Sequence, residues 1–368
     1  MRIVREKMGL PKLTRTSYQS CSIETLSVAL VGLGALGSEI ARLLGLLGVA
    51  AVALVDNDTI ESVNTSQNIF FRTPDALHRP KAEVIAEKGF IYFPDTRWIP
   101  LACEIADAGF KPLKDCALII SATDSALSRV ETAYVSRRLH VPMLDTGLSG
   151  PACWRGRAAW FPAESSSACY CCQLSEDRRA EVLSMTCSPV LSCLWSPENL
   201  DMPSTPTMAS VVAGMAIDLA FRHGLSRKQE QSFAWDIDLD SPPELRQHSL
   251  IRSVTCPFHD FPASDVLTEL DHDAPFQHSL TALGAQAIQL DWPVATDATC
   301  LSCHHNWQPL CRLGWLRRYG KCPRCGEPVK VRWHAIDRIL TNTAEAGFSP
   351  ADLSYSKDHL FTPVYHTR

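Results

Sequence analysis

SVALVGLGALGSEIARLLG, residues 27–45, is an apolar run that meets Gly32, Gly34 and Gly37 and then continues with helical spacing. A strand that turns on glycines into a helix leaves backbone N–H groups free at the helix start, where hydrogen bonds and the helix dipole both attract phosphate. The stretch predicts a phosphate-binding turn and leaves open whether the phosphate belongs to a dinucleotide such as NAD. The next apolar run, AVALVDND, ends on Asp56, nineteen residues past Gly37, where an acid would hold ribose hydroxyls.

Outward from this turn the alternation continues. A helical pattern near residues 81–89 is followed by the run ALIISATD, a second helical pattern near 127–139 and the run VPMLDTG. Strands alternating with helices predict an α/β fold: a Rossmann-like, doubly wound, mostly parallel sheet with helices on both faces. Between Pro162 and Pro206 the pattern dissolves into cysteine, serine and proline, which predicts a long crossing loop. TPTMASVVAGMAIDLAF then reads as one buried helix, and QSFAWDIDL and HSLIRSVTC as two strands. Residues 260–295 show only weak periodicity, and the tail after Trp333 reads as a short helix followed by polar residues. The expected domains are an arm at 1–26, a main domain at 27–260, a linker at 261–298, a cysteine-rich module at 299–330 and a tail at 331–368. A chain of 368 residues suits one large core with a satellite.

Composition narrows the classes. A net charge of −5 with 20% charged residues gives no electrostatic reason to expect nucleic acid. No run reaches the roughly 18 apolar residues of a membrane span, and the first twenty residues lack a signal-peptide core, so a cytoplasmic protein is expected. Fifteen cysteines without an export signal, several spaced Cys-x-x-Cys, point to metal or thiol chemistry rather than disulfides.

Two zinc sites follow from spacing. Cys169 and Cys172 form one half-site and the run Cys256-Pro-Phe-His259 another, and together they complete a tetrahedral set across the crossing loop. Cys300-x-x-Cys303 and Cys322-x-x-Cys325 read as a zinc ribbon, with all four positions filled by protein and therefore structural. His304 and His305 beside it read as surface residues.

After Asp56 come DTIESVNTSQNIFFR at 58–72, RPKAE at 79–83 and ISATDS at 120–125. This succession, together with the glycine turn, resembles the E1-like (ThiF/MoeB-type) adenylating enzymes, which activate ubiquitin-like proteins and sulfur carriers. The resemblance runs over residues 28–259 and rests on the order of the motifs. It implies ATP and Mg²⁺, with Gly32, Gly34, Gly37 and Asp56 holding ATP, Asp58 and Asn64 beside the ribose and phosphates, Lys81 on the phosphates and Asp124 on the metal. Gln67 stands where the family has arginine, and Arg72, five residues on, is the candidate to supply that charge. Joining a carboxylate to AMP brings an anion to a polyanion, so cations and backbone N–H groups are the chemistry required, and the attacking carboxylate needs no base.

The resemblance also implies a small β-grasp protein ending in glycine as substrate, an E2-like conjugating partner, and a homodimer in which Arg5 or Arg15 reaches the partner's site. Cys187, in SMTCSP ahead of the buried helix, is the implied thioester cysteine, and Cys193 the runner-up. Three alternatives stand beside this reading: a sulfur-carrier adenylyltransferase that stops at the acyl-adenylate, a non-catalytic scaffold, and an NAD dehydrogenase. The last would need a hydride-transfer His or Tyr and Lys pair that the second half does not show.

Overall fold

The computed structural model describes residues 22–66, 68–149, 154–179, 205–240, 242–259, 266–328 and 331–365. They divide into two units, the first drawn from Met1–Ile105, Pro112–Gln173 and Asn199–Phe261, the second from Ala106–Lys111, Leu174–Glu198 and Pro262–Arg368.

The first unit is built on an eight-stranded sheet. Its strands are β1 (Ser27–Val31), β2 (Ala51–Val55), β3 (Arg97–Leu101), β4 (Leu118–Ser121), β5 (Met143–Ser149), β6 (Arg155–Phe161), β7 (Phe233–Asp238) and β8 (Glu244–Ser249), in the order β3-β2-β1-β4-β5-β6-β7-β8. From β3 to β5 the strands run parallel, and β6, β7 and β8 are antiparallel to their neighbours. The inner strands β2 and β4 are buried at every position, which is why their sequences are unbroken apolar runs rather than alternating ones.

Helices cover both faces. The helices α1 (Ala35–Leu47), α2 (Lys81–Tyr92) and α4 (Pro206–Asp218) share a core with Leu144 of β5 and Trp160 of β6. On the other face α3 (Ala126–Leu139) puts Ala133 against Met143, Ala159 and Phe161, the residues that alternate with them. Local sequence sets the helix limits. Ser125 caps α3 by accepting the N–H of Ser128, and Thr205 caps α4 ahead of Pro206, whose missing N–H costs nothing in a first turn. Gly48, at φ +69°, ends α1.

The expected strand HSLIRSVTC lies elsewhere. The pairing strand is β8, whose six residues are all exposed, whereas Ile251 and Val254, which suggested a strand, are 82% and 96% exposed. An edge strand open to water on both faces carries no apolar signature.

The second unit centres on β9 (Ala287–Cys300). It pairs along one edge with β12 (Val331–Leu340) and elsewhere with β10 (Asn306–Trp307), β11 (Cys311–Arg312) and β13 (Thr362–Val364). The helices α5 (Phe276–Leu283) and α6 (Leu313–Tyr319) complete it, and Phe276, Ile288, Leu290, Ile339 and Phe361 form its core. The weakly periodic stretch therefore holds α5 and most of β9, and the helix expected after Trp333 is strand β12. Ala106–Lys111 belongs to this unit: Arg312 donates to the Ala106 carbonyl and pairs with Asp107, and the N–H groups of Phe110 and Lys111 both donate to the Asp358 carbonyl.

Candidate functional site

Three motif turns leave the same edge of the sheet, because Val31 is in register with Val55 on one side and Ser121 on the other. The glycine turn is shaped by contact. Gly32 has φ +88°, and a Cβ on it would lie 2.8 Å from the backbone of Ala122; a Cβ on Gly37 would lie 1.9 Å from the Gly32 carbonyl oxygen. Both positions exclude any larger residue. Gly34 instead faces open space, since a Cβ there meets nothing within 4 Å. As the N-cap of α1 it offers no side chain to the first-turn amides, and that turn carries no acid. An uncapped, uncharged helix start beside open space is a cradle for an anion.

Asp56 stitches the end of β2 to this turn. Its Oδ2 accepts the Leu33 N–H at 2.6 Å and its Oδ1 the Asp58 N–H at 2.8 Å, and each oxygen keeps a second lone pair for a ligand. Burial pushes its pKa above the ordinary carboxylate value, and Lys81 pulls it partly back. Two other motifs are zipped together nearby: Lys81 donates its N–H to the Asp58 carbonyl, Ile60 donates to Arg79, and Thr59 bridges Pro80. This places Lys81 Nζ 2.8 Å from Asp58 Oδ2, with the lysine only 8% exposed.

Asn64 has a local task, its Oδ1 accepting the Glu61 N–H at 2.9 Å in the turn Ser62–Ser66. Arg72 is exposed, just past the buried pair Phe70 and Phe71. The N–H groups of that pair both donate to Oδ1 of buried Asn68, a residue the sequence reading passed over although Asn before a turn is a standing signal for such a bond. Gln67, Cys187, Cys193, Arg5 and Arg15 lie outside the described residues.

Asp124, exposed, follows β4 on a loop held from behind. Arg129 donates Nε to the Thr123 carbonyl at 2.9 Å and Nη1 to Asp145 Oδ2 at 2.8 Å, and Thr146 donates to the Ser121 carbonyl. Asp145 is buried, and burial raises its pKa while Arg129 opposes the shift. Sequence reasoning missed this pair. Its signal was the acid inside the apolar run VPMLDTG, since a buried charge demands a partner.

Both cysteine quartets assemble. Cys169, Cys172, Cys256 and His259 bring one ligand atom each to within 4.8 Å of one another, as do Cys300, Cys303, Cys322 and Cys325. Two sulfur–sulfur edges of each set measure 3.8 and 3.6 Å: Cys169–Cys172 and Cys169–Cys256 in the first, Cys300–Cys325 and Cys303–Cys322 in the second. A tetrahedron with 2.3 Å metal–sulfur bonds has edges of about 3.8 Å, so both sets fit zinc and can hold a metal ion. His259 Nδ1 is 2.9 Å from the Ser165 carbonyl, which puts its proton there and leaves Nε2, 3.1 Å from Cys172 Sγ, as the ligand atom. In the second quartet the Cys303 amide draws the Cys300 thiol down to about 6. Cys116 and Cys311, by contrast, are pushed up by burial to about 12 and about 11, the signature of inert core thiols.

A family model described as ThiF family matches residues 7–249. Ubiquitin-like modifier-activating enzyme 7 of Mus musculus is 31% identical over 144 residues, 36% of this chain and 14% of that protein. The sulfur carrier protein ThiS adenylyltransferase of Escherichia coli K12 is 25% identical over 155 residues, 42% of this chain and 60% of that one. Among solved structures, E. coli MccB crystallised with succinimide shares 17% identity at a TM-score of 0.48, covering 65% of this chain and 68% of that chain. The chain spans only 14 to 19% of the length of the first curated relatives it matches.

Proposed function

The chain belongs to the ThiF family, and from that premise we propose that it activates the C-terminal glycine of a small ubiquitin-like protein by joining it to AMP. The carboxylate oxygen attacks the α-phosphorus of ATP, the bond to the bridging oxygen breaks, and pyrophosphate leaves. The observation that carries this reading is the common sheet edge at which the glycine turn, the Asp56 carboxylate, the Asp58–Lys81 pair and the Asp124 loop emerge.

Each residue type suits the task assigned to it. The amides of residues 34–37 receive phosphate oxygens, and Asp56 accepts ribose hydroxyls with its spare lone pairs. Lys81 leaves the exposed Asp58 for the phosphates, an exchange that gives up only a weak, partly solvated ion pair. Asp124 would hold Mg²⁺, which when bound neutralises the charge of the departing pyrophosphate. Arg129 and Asp145 fix the loop that presents Asp124. Arg72 is assigned the charge absent at Gln67. Structural zinc is assigned to both quartets.

We further assign the acyl group to Cys187, with Cys193 second, as a thioester passed to an E2-like partner by a cytoplasmic homodimer. No helix of the described residues is long and apolar enough to cross a membrane. A second reading, a sulfur-carrier adenylyltransferase that stops at the acyl-adenylate, is favoured by one observation: the ThiS adenylyltransferase is matched over 60% of its length and the modifier-activating enzyme over 14%.

One incubation separates them. The protein is mixed with ATP, Mg²⁺ and a β-grasp protein ending in glycine and run on a non-reducing gel. A thiol-sensitive adduct lost in Cys187→Ala and kept in Cys193→Ala supports the thioester route. Pyrophosphate exchange without an adduct supports the sulfur-carrier route. The absence of both signals leaves a scaffold and ends the proposal.

A further inference from the structure

We propose that Arg137 is the charge partner of the Cys169–Cys172–Cys256–His259 quartet, a positioning residue without which the metal there is held weakly. The proposal rests on the zinc reading of that quartet. Three thiolates and a neutral imidazole around a divalent ion sum to one negative charge. Cys169, Cys256 and His259 are buried, and a buried net charge is strongly unfavourable without a partner of opposite sign.

Arg137 lies in the last turn of α3 and is 4% exposed. Its Nη1 donates to the Glu164 carbonyl, and its Nη2 to the carbonyls of Ser167 and Ala168, each at 2.8 Å. All three acceptors are neutral, so they satisfy the donors without supplying an opposite charge. The Ala168 carbonyl that Arg137 holds is bonded directly to the amide of Cys169, so the guanidinium stands beside the sulfur set, and Cys169, Cys172 and Cys256 partly offset the burial of the cation. Buried thiolates and buried guanidinium are thus each the other's remedy.

The same side chain also sets geometry. The carbonyls it gathers flank Ser165, whose own carbonyl orients His259, and they run directly into Cys169. A lysine at 137 would keep the charge and lose the three-carbonyl fork, whereas a glutamine would keep a donor and lose the charge. The ribbon quartet offers an internal control, because Cys325 is exposed and water screens its charge.

The test uses the full-length, zinc-loaded chain and reads the metal by competition with the chromophoric chelator 4-(2-pyridylazo)resorcinol. In Arg137→Gln one of two zinc ions should bind about 10–100-fold more weakly, the range for loss of an outer-shell partner, while the other is unchanged. Arg137→Lys should fall between Arg137→Gln and the unmodified chain. In a Cys256→His background the quartet with zinc is formally neutral, so Arg137→Gln should there cost less than threefold. A purely structural role would make Arg137→Lys as poor as Arg137→Gln and leave the Cys256→His background just as sensitive. That result overturns the proposal, as does unaltered zinc binding in Arg137→Gln. Should Arg137→Gln not accumulate, the comparison of Arg137→Lys in the two backgrounds decides by the same criterion. If the unmodified chain binds one zinc and Cys169→Ser still retains it, the zinc reading itself fails and the role of Arg137 falls with it.

Discussion

The two halves of the eight-stranded sheet use their loops in opposite ways. In the parallel half every strand needs a crossover, so successive turns fall on one edge, and those after β1, β2 and β4 place Gly32, Asp56 and Ala122 side by side. The antiparallel half joins β6 to β7 by a connection running from residue 162 to 232, far longer than a hairpin requires. There a quartet of ligands binds Cys169 and Cys172 in that connection to Cys256 and His259 beyond β8, 87 residues on. One half brings its candidate site residues together by topology; the other brings together a ligand set that a bound metal would turn into a crosslink. Damage to the first should therefore remove chemistry with little loss of stability, and damage to the second should do the reverse.

The largest expected effect is on the crosslink. Removing a ligand with Cys256→Ala should lower the stability of the first unit by about 4–5 kcal/mol, the loop-closure value for a span of this length, seen by calorimetry as an earlier transition. Pyrophosphate exchange measured well below that transition should survive. Next is the parallel half: Lys81→Ala should cut exchange by about 10²–10³-fold, the scale of losing one preorganised cation, with a melting shift that reflects its buried stem and part-exposed ion pair and stays below that of Cys256→Ala. If Lys81→Ala unfolds the protein, or Cys256→Ala abolishes exchange at a temperature where it is folded, the division between the halves is broken.

Gly37→Ala sharpens the comparison, since it should affect both quantities. Its Cβ would stand 1.9 Å from the Gly32 carbonyl oxygen, so the turn must move, at a cost of about 1–3 kcal/mol in stability and with a raised KM for ATP.

The smallest effect is on pH. Because burial raises the Asp56 pKa above 3.8, ATP affinity should begin to weaken, as pH is lowered, earlier than an ordinary aspartate allows. The stability sign is opposite. The contribution of the protonated carboxyl is fully present below 3.8 and is lost as pH rises through the raised value, so ionised Asp56 costs folding energy at neutral pH. An Asp56→Ala variant should lack the early weakening, as titration of ATP binding would show.

The parallel half was legible because its chemistry is local: glycines that admit no Cβ, an acid at a strand end and a lysine at a helix start each mark themselves in the chain. The ligand quartets were legible for a related reason, since Cys-x-x-Cys fixes a turn before any fold exists. The second unit was not. β9 is paired along both edges, and its burial does not alternate. Pro293 sits within it where the pairing with β12 slips, between Val294↔Ile336 and Gln289↔Arg338, so a strand contains the residue that normally argues against one. Arg129–Asp145 and Asn68 escaped because their roles arise from partners distant in sequence or from backbone geometry.

Adenylation by the edge of the parallel sheet is the central claim, and ATP–pyrophosphate exchange in the presence of a β-grasp protein ending in glycine tests it most directly. Exchange should require that protein's free C-terminal carboxylate, depend on Mg²⁺, and collapse in both Lys81→Ala and Asp124→Ala. Exchange that proceeds undiminished in those two variants would contradict it.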